Sequence, residues 1–371
     1  MAVPLFDTAT PLAPLRDELM SAITRVVDSG GFILGPEVRG FERELAEYVG
    51  CREAIGVGNG TDAITIALRA LGVGPGDEVI VPSFTFYASA EAIPPTGARP
   101  VFCDVDPDTF CVTPETVKAA LTPRTKAVIA VHLFGNVAPI AEIEALGVPV
   151  LEDAAQALGS RSPAGRPGAL GTIATFSFYP SKNLGAFGDG GAVTTSDMEL
   201  AERVRSLRFH GSRDKQTFDD VGYNSRLDAL QAAILRVQLP HLERWADGRR
   251  AAAVHYEKAG LGEFVTLPEA TAGTEPAWHL YVVRTSDPVS LTAAFNAREI
   301  GARLYYRVPT HEQPGMRQYA PSYALPGTER AAQTHLALPI SPVLDRAQAE
   351  EVTAAAREHL NAAQPAGSTR G

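Results

Sequence analysis

Between residues 54 and 195, short apolar runs alternate with stretches of helical periodicity: AIGV (54–57), EVIV (78–81), RPVFCDV (99–105), KAVIAVHLF (126–134), VPVLED (148–153), IATFSF (173–178) and GGAVTT (190–195). Several of these runs lack the apolar–polar alternation of a strand wet on one face. They predict strands covered by helices on both sides, and the strand–helix–strand rhythm predicts an α/β fold with a mostly parallel central sheet. In the stretch 61–71, Ile64, Ala67, Leu68 and Leu71 fall at i, i+3, i+4 and i+7, giving one apolar face to lay on that sheet, and Gly72 is placed to end the helix. Helical patterns return over 197–208 and from about 227 to 260, the second interrupted by Pro240. The spacing predicts a large α/β domain over 1–245. Beyond it, WHLYVVR (278–284), a helix around 290–299, LYYRV (304–308) and a final helix near 345–361 predict a smaller C-terminal α+β domain over 246–371. Its polar tail QPAGSTRG (364–371) is expected to be mobile.

Composition narrows the function classes. The 371 residues carry 43 acidic and 33 basic side chains, a formal charge of −10, which excludes the basic footprint of a nucleic-acid binder. The chain exceeds the ~250–300 residues at which one hydrophobic core stops growing, in keeping with two domains. No apolar run approaches the ~18 residues that span a bilayer, and the start MAVPLFDTATPLAPLRD lacks the regions of a signal peptide, so a cytoplasmic protein is expected. Cys51, Cys103 and Cys111 form no CxxC pair and are expected as free thiols, neither a disulfide framework nor a zinc site. No GxGxxG follows the first strand and no Walker sequence is present, which argues against dinucleotide-dependent oxidoreductases and P-loop enzymes.

A lysine that forms a Schiff base must lose its proton, so it belongs in a sheltered place. Of five lysines, Lys118, Lys126, Lys215 and Lys258 lie among polar or helix-surface residues. Lys182 instead follows the apolar run IATFSFYP and precedes the Gly-rich NLGAFGDGG, although an ordinary loop lysine also occurs after a strand. VPVLEDAAQALG ends a buried strand at Asp153, with Gln156 three residues on. Such an acid is either a helix cap or, facing the nitrogen of a pyridine ring, the charge that keeps the ring protonated and electron-withdrawing. GNGTDA (58–63) places Gly60 and Thr61 at a helix N-terminus, a site suited to phosphate. Tyr87, in SFTFYASAEA after EVIV, is either a core aromatic or a platform for a planar cofactor. All four features fall at strand ends of one α/β domain, and together they are the parts of a pyridoxal-5′-phosphate enzyme.

From about residue 15 to 345 the sequence resembles the DegT/StrS-type sugar aminotransferases, of the fold-type-I, aspartate-aminotransferase-like class. The matching stretches are FILGPEVRGFERELAEYVG, GNGTDAITIALRALGVGPGDEVIVPSFTF, EDAAQALG, FSFYPSKNLGAFGDGGA, GYNSRLDALQAAIL and LYYRVPTHEQP. The resemblance implies Lys182 as the Schiff-base lysine, Asp153 on the pyridine nitrogen and Gln156 beside the ring hydroxyl. It also implies Gly60, Thr61 and Ser177 on the phosphate and Tyr87 over the ring. Asn224 would reach the cofactor of a second subunit, so a homodimer with shared sites is implied. Tyr306 and His311 would lie near the sugar, His311 being equally readable as a plain hydrogen-bonding residue, and His132 would support the cofactor floor. Transfer from glutamate to a nucleotide-linked keto-deoxysugar is the implied reaction. Lys182 stands where dehydratases of the family carry histidine, and GYNSRLD, with Ser225, looks most like enzymes acting on dTDP-3-keto-6-deoxyhexoses. A 4-keto-sugar aminotransferase is the alternative, and a non-catalytic regulator on this fold would be expected to lose Lys182 or Asp153.

Overall fold

The structure, a computed structural model, describes residues 3–363; the tail expected to be mobile lies outside the described residues. All seven apolar runs are strands of one sheet: β1 (Glu53–Val57), β2 (Glu78–Pro82), β3 (Arg99–Cys103), β4 (Thr125–Val131), β5 (Val150–Asp153), β6 (Ile173–Ser177) and β7 (Gly191–Thr195). Their spatial order is β1-β7-β6-β5-β4-β2-β3. Strands β2 to β6 run parallel, and β7 is antiparallel to both its neighbours, β6 and β1. The carboxyl ends of β4, β5 and β6 therefore emerge together, the place where open α/β sheets hold ligands.

Helices cover both faces of the sheet. Helix Gly60–Ala70 starts at Asn59, whose side chain accepts the Asp62 amide at 2.8 Å, and it buries Ile64, Ala67 and Leu68. It ends where Gly72 takes a left-handed φ of +79°. Helices Arg16–Ser29, Pro36–Val49 and Ala229–Gln238 form a second core with Phe176 and Phe178. After Gln238 a single turn carrying Pro240 bends the chain into helix Leu242–Lys258, as the interrupted pattern predicts. The expected boundary near 245 falls inside that helix, which touches the sheet-side core at Leu242 and a separate core at Ala252 and Tyr256. We propose that this helix joins the two domains.

The separate core encloses a hairpin-like pair, β8 (Tyr281–Arg284) antiparallel to β9 (His335–Leu338), with helices Pro288–Asn296 and Arg346–Ala363. Two features depart from expectation. LYYRV is not a strand: only Arg303 bridges to Ala337, and turns follow. The partner of β8 is instead HLAL at 335–338, directly after helix Pro326–Thr334, where a run of four residues cannot be told from the helix's own end. The second departure is at the N-terminus. Val3 donates to the Glu299 carbonyl (3.2 Å) and accepts from the Gly301 amide (2.8 Å), so this N-terminal segment pairs with the backbone at 299–301. Cys51, Cys103 and Cys111 are all free thiols, and no helix among the described residues is long and apolar enough to cross a membrane.

Candidate active site

The loops leaving β4, β5 and β6 enclose a cavity of about 840 Å³, lined by Gly60, Thr61, Asp153, Gln156, Ser177, Lys182 and Tyr306. Seven residues singled out along more than 240 positions of chain thus meet in one place.

At one end lies an anion cradle. The Asn59 cap leaves the amides of Gly60 and Thr61 without a hydrogen-bond partner among the described residues. Opposite them, the Ser177 hydroxyl accepts from the Tyr179 amide at 3.3 Å and keeps its own proton to donate. A Cβ on residue 60 would sit 2.8 Å from Ser177 Cβ, so only glycine lets the helix end approach the serine this closely. Free amides, helix dipole and hydroxyl converge on one spot.

The acid end is rigid. Asp153 is 5% exposed; its Oδ2 accepts from the Ser89 hydroxyl at 2.7 Å and its Oδ1 from the Ala155 amide at 3.2 Å. Beneath it, fully buried His132 contacts Glu152 Oε2 through Nε2 (2.9 Å) and accepts the Ala138 amide on Nδ1 (3.0 Å). Glu152 also accepts the amides of Gly168, Leu170 and Gly171. Both nitrogens of His132 are thus occupied, and its backbone amide donates to the Asp153 carbonyl at 3.1 Å, the supporting role expected of it. Gln156 accepts the Phe134 amide (2.7 Å) and donates to the Tyr306 hydroxyl (3.3 Å), whose acidity burial weakens.

Lys182 sits on the turn after β6, where its amide donates to the Tyr179 carbonyl at 2.8 Å. The turn closes because residue 185 is glycine: a Cβ there would come within 2.5 Å of the Pro180 carbonyl oxygen. Burial pushes the Lys182 ammonium down to about 8, against the opposing pull of the Asp153 charge. The other four lysines are exposed.

Three predicted residues do not line the cavity. Tyr87 points its hydroxyl at Gly315 and packs on the main core; Phe86 lines the cavity instead, its ring centroid 5.8 Å from that of Tyr306. The reason is a matter of phase: the chain turns into the short helix Ala88–Glu91 with Tyr87 at its cap, which exchanges the sides that residues 86 and 87 take. His311 is held by the Ser83 hydroxyl, beside Phe102, away from the cavity. Asn224 is exposed, takes a hydrogen bond from Arg226 and bridges Phe209 through its backbone, with no approach to its own chain's cavity. Sequence reasoning missed Ser89, Phe86 and His279. Ser89 is hidden in the small-residue run ASAEA, and His279 reads as one more strand position in WHLYVVR. His279 lines the cavity with its Nδ1 buried and unpartnered, and burial, with Lys182 and Arg249 nearby, holds it well below the ordinary histidine range.

An anion cradle, a flat aromatic, a carboxylate and a lysine with a reduced proton affinity fit pyridoxal phosphate: Gly60, Thr61 and Ser177 suit its phosphate, Asp153 its ring nitrogen and Lys182 its aldehyde carbon. Comparison with known proteins points the same way. Residues 14–357 match the DegT/DnrJ/EryC1/StrS aminotransferase family. The dTDP-3-amino-3,4,6-trideoxy-alpha-D-glucose transaminase of Streptomyces venezuelae is 47% identical over 363 residues, covering 96% of each chain. The UDP-N-acetyl-3-dehydro-alpha-D-glucosamine 3-aminotransferase of Acidithiobacillus ferrooxidans is 44% identical over 97% of this chain and 98% of its own. Among solved structures, DesV of S. venezuelae in complex with a ketimine intermediate superposes with a TM-score of 0.93 at 46% identity, over 96% of this chain and 98% of that one.

Proposed function

The chain belongs to the DegT/DnrJ/EryC1/StrS aminotransferase family and is a pyridoxal-phosphate-dependent sugar aminotransferase, and from that premise we propose that it moves an amino group from glutamate to C3 of a dTDP-linked 3-keto-6-deoxyhexose. The observation that carries the reading is Lys182, the one lysine in the cavity, opposite Asp153 and freed of much of its proton affinity by burial.

Pyridoxal phosphate, when bound, supplies an aldehyde that takes up an amine and a ring that withdraws electrons from the adjacent carbon. Asp153, pinned by Ser89 and the Ala155 amide, holds a proton at the ring nitrogen. Gly60, Thr61 and Ser177 would hold the phosphate, and Phe86, in the cavity wall, would serve as the aromatic platform first sought at Tyr87. Gln156 and Tyr306, joined by a hydrogen bond, line the same cavity. Lys182 is the residue that would hold the aldehyde carbon, and its amine would move a proton between the donor's Cα and that carbon as base and acid. With a proton affinity near 8 it can do both at neutral pH. The second half-reaction uses the same groups in reverse on the keto-sugar, for which the 840 Å³ cavity has room beside the cofactor.

C3 is favoured over C4 because both relatives described above act at position 3. The UDP-linked acceptor of the Acidithiobacillus relative supports a second reading, a UDP-linked 3-keto sugar. The exposed Asn224 and the charged loop 210–220 support a homodimer in which each subunit completes its partner's site. Nucleotide-linked sugars and three free thiols both suit the cytoplasm. The decisive experiment incubates the enzyme with glutamate and a panel of dTDP- and UDP-linked 3- and 4-keto sugars and locates the new amine by NMR. An amine at C4 alone, or no transfer at all, overturns the proposal. Borohydride reduction and peptide mapping should recover the cofactor on Lys182, and recovery on any other lysine refutes its assignment.

A further inference from the structure

Lys182 also lines a second, smaller cavity of about 130 Å³, whose walls include Asn183, Gln238, Trp245 and Arg249. Arg249 is 6% exposed, and among the described residues no carboxylate pairs with it. Burial alone pulls its guanidinium down to about 10. A buried cation without a counter-charge is costly to maintain. Two carbonyl oxygens, of Trp278 (3.1 Å) and Ile340 (3.3 Å), accept from it, but both from the same nitrogen, Nη1.

The Nε and Nη2 donors are left over. They make no hydrogen bond among the described residues and are not among the fully buried unpartnered atoms, and Arg249 lines the cavity. Nε and Nη2 together form the flat two-pronged edge that binds a carboxylate with two parallel hydrogen bonds. Asp7, the acid at the rim, is turned to the Thr10 amide at 2.9 Å. If Arg249 served only to hold two carbonyls, a single nitrogen would suffice and the rest of the charge would have no use.

We infer that Arg249 is the seat of the amino donor's α-carboxylate, in a pocket separate from the one that takes the nucleotide-linked sugar. The inference rests on the aminotransferase reading given above. Size separates the two substrates: 130 Å³ suits an amino acid and not a nucleotide-linked sugar, which needs the 840 Å³ cavity. Lys182 lines both cavities, so a donor held at Arg249 shares a wall with the lysine on which the amine exchange depends. The arrangement explains how one lysine serves two substrates of very different bulk.

The test compares glutamate with 4-aminobutyrate, which is glutamate without its α-carboxylate, on the wild-type holoenzyme and on Arg249→Met and Arg249→Lys. Charge-assisted hydrogen bonds of this kind imply roughly a 10- to 100-fold lower KM for glutamate than for 4-aminobutyrate in the wild type. Arg249→Met should raise the glutamate KM to the 4-aminobutyrate value and leave the latter where it was, with Arg249→Lys between. An equal rise for both amines, or no rise for either, overturns the subsite. Calorimetric titration with glutarate needs neither turnover nor an amine. It should show binding to the wild type that weakens roughly 10- to 100-fold in Arg249→Met. Equal glutarate binding by both proteins, or inorganic phosphate bound as tightly as glutarate, refutes a carboxylate seat. Wild-type enzyme that binds glutarate through Arg249 but transfers nitrogen from no amino acid would overturn the aminotransferase reading instead.

Discussion

Replacing Lys182 with methionine should stabilise the cofactor-free protein. The side chain keeps its length and apolar stem but loses the ammonium that the folded state holds at a disadvantage. A drop from 10.5 to about 8 in the folded state corresponds to about 3 kcal/mol at ~1.4 kcal/mol per pH unit. The sign follows from proton counts. Below pH 8 the lysine is charged in both states and the full penalty applies. Between 8 and 10.5 the unfolded chain binds a proton that the folded one has released, so wild-type stability gains on the variant as pH rises. Above 10.5 the amine is neutral in both states and the difference vanishes. Urea unfolding of both proteins at matched concentration, from pH 7 to above 10.5, measures this directly. The methionine variant should lead by a few kcal/mol at pH 7 and converge on wild type through that window. A variant that is less stable at pH 7, or a gap constant with pH, would refute the claim that burial of this ammonium sets its proton affinity. It would also remove the physical reason for choosing Lys182 over the four exposed lysines.

Gly60→Ala should weaken cofactor binding roughly 10-fold or more, because the new Cβ meets Ser177 Cβ at 2.8 Å and must push the helix amides off the phosphate position. Equilibrium dialysis of the cofactor would reveal it, and unchanged affinity would dismiss the cradle. Phe86→Ala should weaken cofactor binding by about 2- to 10-fold through lost ring contact, while Tyr87→Phe leaves it unmoved; the reverse pattern would restore Tyr87 as the platform. Two separately inactive variants, Lys182→Ala and Asn224→Asp, mixed after reversible dissociation, should recover about a quarter of wild-type activity, since about half the dimers are mixed and each has one intact site. If heterodimers verified by mass stay inactive, Asn224 serves its own chain.

The sheet was legible because several of its strands, buried on both faces, write themselves as apolar runs, and all seven expected strands formed. The cavity-lining residues Gly60, Thr61, Asp153, Gln156, Ser177 and Lys182 were legible because each sits near the end of such a run, where alternation hands over to polar or glycine-rich sequence. What stayed hidden depends on contacts distant in sequence or on phase. Val3 pairs with residues near 300, and nothing in its neighbourhood announces that. HLAL merges with the helix before it, and LYYRV has the composition of a strand but no neighbour able to pair along its length. Phe86 and Tyr87 exchange places through one residue of phase at a strand-to-helix turn. His311 is drawn off by Ser83, a partner 228 positions away. Arg249 looks like any arginine of a charged helix until the structure shows it buried without an acid.

The attachment of Val3 to Ile300 has a mechanical side. From that bridge the backbone passes Phe6, which stacks on His279 with ring centroids 6.0 Å apart in the cavity wall, before it enters helix Arg16–Ser29 on the large sheet's side. On the proposed two-domain reading, the backbone crosses between the two domains at two places, here and along Leu242–Lys258. A body tethered at one point can swivel in any direction, whereas one tethered at two points turns only about the line that joins them. Any swing of the small body is thus reduced to a single angle. Because Phe6 and His279 stack beside the Val3 attachment and both line the cavity, the first of these crossings is also part of the cavity wall.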